Sequence, residues 1–121
     1  MAEASIVAIV DDDVSMQRSL PALVKKLGFK VRAFLSAEDF LASDCIDQTK
    51  SMILDVSMPR MSGPDLQREL TRRGYRIPIV FITGQRDEEL RRQLLADGAV
   101  ECLFKPFNAT ALLKALNAAM K

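Results

Sequence analysis

The chain has 121 residues, 49% of them hydrophobic and 27% charged, the make-up of one globular domain and not of a disordered segment. Seventeen basic against sixteen acidic residues leave a net charge of +1, which gives no electrostatic reason to expect nucleic-acid binding. Histidine is absent, which excludes Ser-His-Asp and Cys-His catalysis and His-ligated zinc. Cys45 and Cys102 are far apart and in no metal-ligand spacing, so free thiols in a reducing, cytoplasmic setting are expected. No apolar run approaches the ~20 residues of a membrane span. The start, MAEASIVAIVDDD, lacks a basic region and its apolar run ends in three aspartates, so no signal peptide is expected.

In chain order, strands and helices alternate. Ile6–Val10 is apolar throughout and predicts a strand buried on both faces. Val14–Leu27 predicts a helix with Leu20, Leu23, Val24 and Leu27 on one face and Gly28 as its stop. Pro21 inside it requires either a bend or a regular start near Ser19. Lys30–Phe34 alternates polar and apolar, as a half-exposed strand does. Ser36 opens a short helix ending near Ser43, and Asp44–Lys50 reads as a polar loop. Ser51–Asp55 is a second buried strand, and Ser62–Arg72 a helix with Pro64 in its first turn. Ile77–Thr83 is a third apolar strand, followed by a helix at Glu88–Asp97. Val100–Phe104 is a mixed strand, and Asn108 caps a helix that buries Leu112, Leu113, Leu116 and Met120.

The sum is an α/β chain, (βα)5, which means a parallel sheet with helices on both faces. The wholly apolar runs 6–10, 51–55 and 77–83 belong in the middle, and the charged runs 30–34 and 100–104 at the edges. Right-handed crossovers then give a five-stranded, doubly wound, flavodoxin-like sheet of order 2-1-3-4-5. The chain reverses direction between the first and third strands, and ligands bind beyond the strand C-termini at such a switch point.

The first strand runs into Asp11-Asp12-Asp13 and the third ends in Asp55. Asp13 suits a helix N-cap. Asp11, Asp12 and Asp55 converge in this topology, and carboxylates so crowded repel unless a proton or a hard cation such as Mg²⁺ intervenes. Thr83 and Lys105 end the fourth and fifth strands and face the same cleft. Acids, a hydroxyl and a fixed cation together suit a phosphoryl group, with one carboxylate attacking in line. Pro106 pushes Lys105 toward extended backbone, and a cis bond between them would aim the lysine.

The motifs IVDDD at 9–13, LDVSMPRMSG at 54–63, ITG at 82–84 and KPF at 105–107 resemble the response-regulator receiver domain of two-component signalling. The resemblance covers the whole length, 1–121, and is strongest to receivers of the FixJ-type transcription factors, which have a CheY-like fold. It implies that Asp55 is the phosphoacceptor for a sensor histidine kinase in a phosphorelay. Asp11, Asp12, Asp55 and the Ser57 backbone carbonyl would hold Mg²⁺, with Mn²⁺ able to substitute. Thr83 and Lys105 would contact the phosphoryl oxygens, and Pro59 and Gly63 would shape the loop after Asp55. The chain would be a switch and not an enzyme, although it promotes its own phosphorylation and dephosphorylation. It would dimerise with itself through the helix 4–strand 5 region and control an output such as transcription, through a DNA-binding domain that this chain lacks. Neither nucleic acid nor membrane is an expected partner of the receiver itself.

Two features depart from that pattern or tune it. Receivers usually carry an aromatic residue three positions before the lysine, where this chain has Cys102, expected as a small buried core residue. Ser57 and Gln85, at the positions that tune dephosphorylation, are weak activators of water, so a phosphoryl lifetime of at least minutes is expected. Three other readings compete. A dehalogenase-type phosphatase needs an acid where Ser57 stands. A flavodoxin-like cofactor binder needs a phosphate loop where the three aspartates stand. A stand-alone or degenerate receiver would bind partners without a DNA-binding output.

Overall fold

In the computed structural model, which describes residues 6–120, the five predicted apolar or mixed runs pair as parallel strands in the order β2-β1-β3-β4-β5. Residues 1–5, on which part of the signal-peptide expectation rests, and Lys121 lie outside the described residues. The elements are β1 (Ile6–Val10), α1 (Val14–Lys26), β2 (Lys30–Phe34), α2 (Ala37–Ala42), β3 (Thr49–Asp55), α3 (Gly63–Arg72), β4 (Ile79–Thr83), α4 (Glu88–Ala96), β5 (Glu101–Phe104) and α5 (Ala109–Ala119). The charged strands β2 and β5 are the edges, as composition requires.

Side-chain alternation sorts the strands' residues onto two cores. Ile6, Ala8, Val10, Met52, Leu54 and Phe81 pack on one face with Phe40, Leu66, Leu70 and Leu94 from α2, α3 and α4. Val7, Ile9, Ile53 and Ile82 pack on the other with Leu20 and Val24 from α1 and Leu112 and Leu116 from α5. Each large side chain buried this way contributes roughly 1.5–3 kcal/mol, which holds the strand ends in fixed register. Leu113 of the last helix and Met120, which stands just past its end, are only partly buried, short of the burial expected for them.

Every α-helix starts at a polar cap: Asp13, Ser36, Ser62, Asp87 and Asn108 each accept a backbone N–H from the first turn. The Asp13 cap sets the start of α1 at Val14, so the alternative start near Ser19 is wrong and the helix runs past Pro21. Three strand bounds differ from expectation. A 3-10 turn at Ile46–Gln48 replaces part of the expected loop, and Thr49, whose Oγ1 donates to the Cys45 carbonyl, begins β3 two residues early. β4 begins at Ile79 because Pro78 has no N–H for a ladder; its carbonyl instead accepts from Met52. Val100 stands outside β5, its N–H donating to the Ile79 carbonyl. Among the described residues no helix is long and apolar enough to cross a membrane.

Candidate functional site

The strand C-termini deliver the predicted residues to one place. Asp11 and Asp12 follow β1, and Asp55 is the last residue of the neighbouring β3. One carboxylate oxygen from each lies within 4.8 Å of the other two; Asp11 and Asp55 are buried and Asp12 is exposed. Asp13 is not in the group, because its carboxylate is spent on the N–H and hydroxyl of Ser15.

Thr83 ends β4, one residue beyond Ile82, the register partner of Asp55. It is buried; its Oγ1 accepts from the Gln85 N–H at 3.1 Å, and its carbonyl accepts from the Lys105 N–H at 2.8 Å. The Lys105–Pro106 peptide is cis, and Lys105 Nζ reaches Asp11 Oδ2 at 3.3 Å, with its side chain 23% exposed. Ser57 is exposed in the loop after β3. Nothing stands within 4 Å of a Cβ placed on Gly84, and a cleft of about 450 Å³ lined by Met16, Leu20, Leu23 and Phe107 opens between Gly84 and Lys105.

Burial and the adjacent Asp11 charge push the Asp55 carboxyl up to about 7, against the pull of Lys105. The cluster thus carries negative charge that one ammonium does not neutralise. Its donors are hard carboxylate oxygens close enough to share one ion, which fits a divalent cation such as Mg²⁺.

Two neighbours of the site, Gln17 and Arg60, were not found by sequence reasoning. Gln17 Nε2 donates to the carbonyls of Asp11 at 2.8 Å and Phe34 at 2.7 Å. A signal existed: Gln17, Leu20 and Val24 are spaced i, i+3, i+7, so a polar residue occupies the apolar stripe of α1. Gly63, which the motif resemblance had already named for the loop after Asp55, closes that loop, its N–H donating to the Val56 carbonyl. Arg60 in that loop has φ 67°, with the Met61 N–H bonded to the Pro59 carbonyl around it and its guanidinium 3.5 Å from Glu38. No local pattern marks an arginine for a left-handed backbone, which non-glycine residues rarely adopt.

Cys102 is buried on β5 opposite Phe81 and packs in the α2–α3–α4 core, as its size suggested. The exposed side of β5 is held by α4 instead. Arg91 donates to Glu101 at 2.8 Å and to the Cys102 carbonyl at 3.3 Å, while the Arg86 guanidinium stacks 5.0 Å from the Phe104 ring.

Residues 7–117 match the family model for the response regulator receiver domain. The chain is 45% identical over 115 residues to nodulation protein W of Bradyrhizobium diazoefficiens, covering 95% of this chain and 51% of that protein. It is 42% identical to the response regulator protein TodT of Pseudomonas putida, covering 98% of this chain and 52% of that protein. The chain therefore spans about half the length of the curated relatives it matches. The crystal structure of FixJ-N superposes with a TM-score of 0.86 at 33% identity, covering 98% of this chain and 95% of that one.

Proposed function

The chain belongs to the response regulator receiver domain family, and on that premise we propose that it takes a phosphoryl group from a sensor histidine kinase onto Asp55. The observation that carries the reading is the placement of Asp55: a buried carboxylate at a strand end, grouped with Asp11 and Asp12. Mg²⁺ held by Asp11, Asp12, Asp55 and the Ser57 carbonyl supplies charge neutralisation for the phosphoryl oxygens when bound, and Mn²⁺ can replace it.

The chemistry asked of the chain's own groups is small. An ionised Asp55 oxygen bonds to phosphorus as the bond from phosphorus to the donor's imidazole nitrogen breaks, and that nitrogen keeps the electron pair. Lys105 neutralises charge on one equatorial oxygen. The Thr83 hydroxyl accepts from Gln85, which leaves its own hydrogen to donate to another phosphoryl oxygen. The chain works as a switch with its own phosphorylation and dephosphorylation chemistry and turns over no separate substrate.

Drawing Thr83 toward the phosphoryl group pulls on the segment Gly84–Asp87 that leads into α4. The α4–β5 surface, with Arg86 on Phe104 and Arg91 on Glu101, is where the switch alters self-association. Residues 1–121 form the receiver, and the output is transcription through a DNA-binding domain outside this chain. The protein acts in the cytoplasm and neither membrane nor nucleic acid is a partner of this domain. The test is incubation with acetyl phosphate and Mg²⁺, read by intact mass. Wild type should gain one phosphoryl mass only with metal, and Asp55→Asn none. A wild type that stays unmodified by acetyl phosphate and by a phosphorylated kinase would favour a degenerate, partner-binding receiver.

A further inference from the structure

Gln17 ties α1 to the ends of two strands at the residue that carries the first carboxylate. Its Nε2 is shared between the carbonyl oxygens of Asp11 (2.8 Å) and Phe34 (2.7 Å). Both hydrogens of the amide are therefore used, and the amide oxygen could not stand in their place. The Asp11 N–H donates to the same Phe34 carbonyl at 3.1 Å. Asp11 is thus held on both sides, its N–H by β2 and its C=O by α1.

That C=O belongs to the planar peptide that joins Asp11 to Asp12. Fixing the plane limits how the two carboxylates can move relative to each other. The hold is anchored in turn. The Gln17 N–H donates to the Asp13 carbonyl at 3.0 Å, and the Asp13 N–H donates to Asp11 Oδ1 at 2.9 Å. The acid pair, the helix cap and Gln17 form one closed set of bonds.

We propose that Gln17 is a positioning residue for the cation site: by holding the Asp11–Asp12 peptide it sets the spacing of the carboxylates that take the divalent ion. The inference rests on the cation reading above. It needs no contact between Gln17 and the ion, because partners behind the ligands commonly set affinity by 10–100-fold.

Mg²⁺ titration by calorimetry tests it on the whole chain, with circular dichroism verifying that each variant is folded. Gln17→Met keeps the length and loses both donors; Gln17→Glu keeps the shape, loses both donors and adds a negative charge. Charge alone would make the Glu variant bind Mg²⁺ more tightly. Positioning predicts that both variants bind about tenfold more weakly. If one variant fails to fold, the other carries the test. A folded Met variant within about twofold of wild type, or a Glu variant that binds more tightly, overturns the inference and leaves the cation reading intact. A wild type that binds no Mg²⁺ overturns both.

Discussion

The backbone of Gly63 runs against the carbonyl of Asp55 so closely that a Cβ placed there would stand 2.3 Å from the oxygen. The same Cβ would lie 3.0 Å from the Phe81 ring. Both obstacles are fixed, one as backbone of β3 and the other as a buried core ring. The loop that leaves Asp55 can return into α3 only if residue 63 has no side chain. Gly63→Ala must therefore move the strand end that carries Asp55. The expected cost is about 1–3 kcal/mol in urea unfolding, together with slower phosphorylation by acetyl phosphate. Wild-type stability and rate in this variant would show that the loop yields without moving Asp55.

The raised pKa of Asp55 makes a prediction about pH in the absence of metal. The unfolded carboxyl titrates near 3.8 and the folded one near 7, so the folded state holds the proton over a window in which the unfolded state has lost it. Stability from this group is present at low pH and is lost as pH rises from about 4 through about 7. Asp55→Asn removes the unfavourable buried charge. At pH 8 without Mg²⁺ it should be more stable than wild type by roughly 1–2 kcal/mol, and the gap should close toward pH 4. Parallel melting curves for the two proteins from pH 4 to 8 would contradict this.

Cys102 should be chemically silent in the folded protein. It is 2% exposed, and burial pushes its thiol up to about 11, so little thiolate is available to react. Cys45 is buried as well. A thiol-specific disulfide reagent at pH 8 should titrate neither cysteine in the native chain and both after denaturation. Rapid native labelling of Cys102 would mean that β5 opens readily from α4.

How much of this was readable before the structure depends on the kind of signal. Strand order follows from charge on runs 30–34 and 100–104 and its absence from 6–10, 51–55 and 77–83, because a strand buried on both faces tolerates no charge. The convergence of Asp11, Asp12 and Asp55 follows once that order is known, since each stands at a strand end. The start of β3 at Thr49 was not readable. It depends on Thr49 pairing with Ile6 across a register shift before Val7 pairs with Ser51, a tertiary event with no local pattern. The role of Gln17 was hidden for a similar reason: a glutamine in a helix looks like surface until its distance to Asp11 is known. The motif resemblance named Gly63 for the loop after Asp55, but its close approach to the Asp55 carbonyl is visible only in the structure.

The claim on which the rest depends is that Asp55, and no other aspartate, carries the phosphoryl group. Reduction of the phosphorylated chain with borohydride converts an aspartyl phosphate to homoserine, and peptide mass mapping then locates it. Homoserine at position 55 alone, formed only when acetyl phosphate and Mg²⁺ were both present, is the result predicted here. Homoserine at Asp11, Asp12 or Asp13, or a phosphorylated chain that yields none, would contradict it.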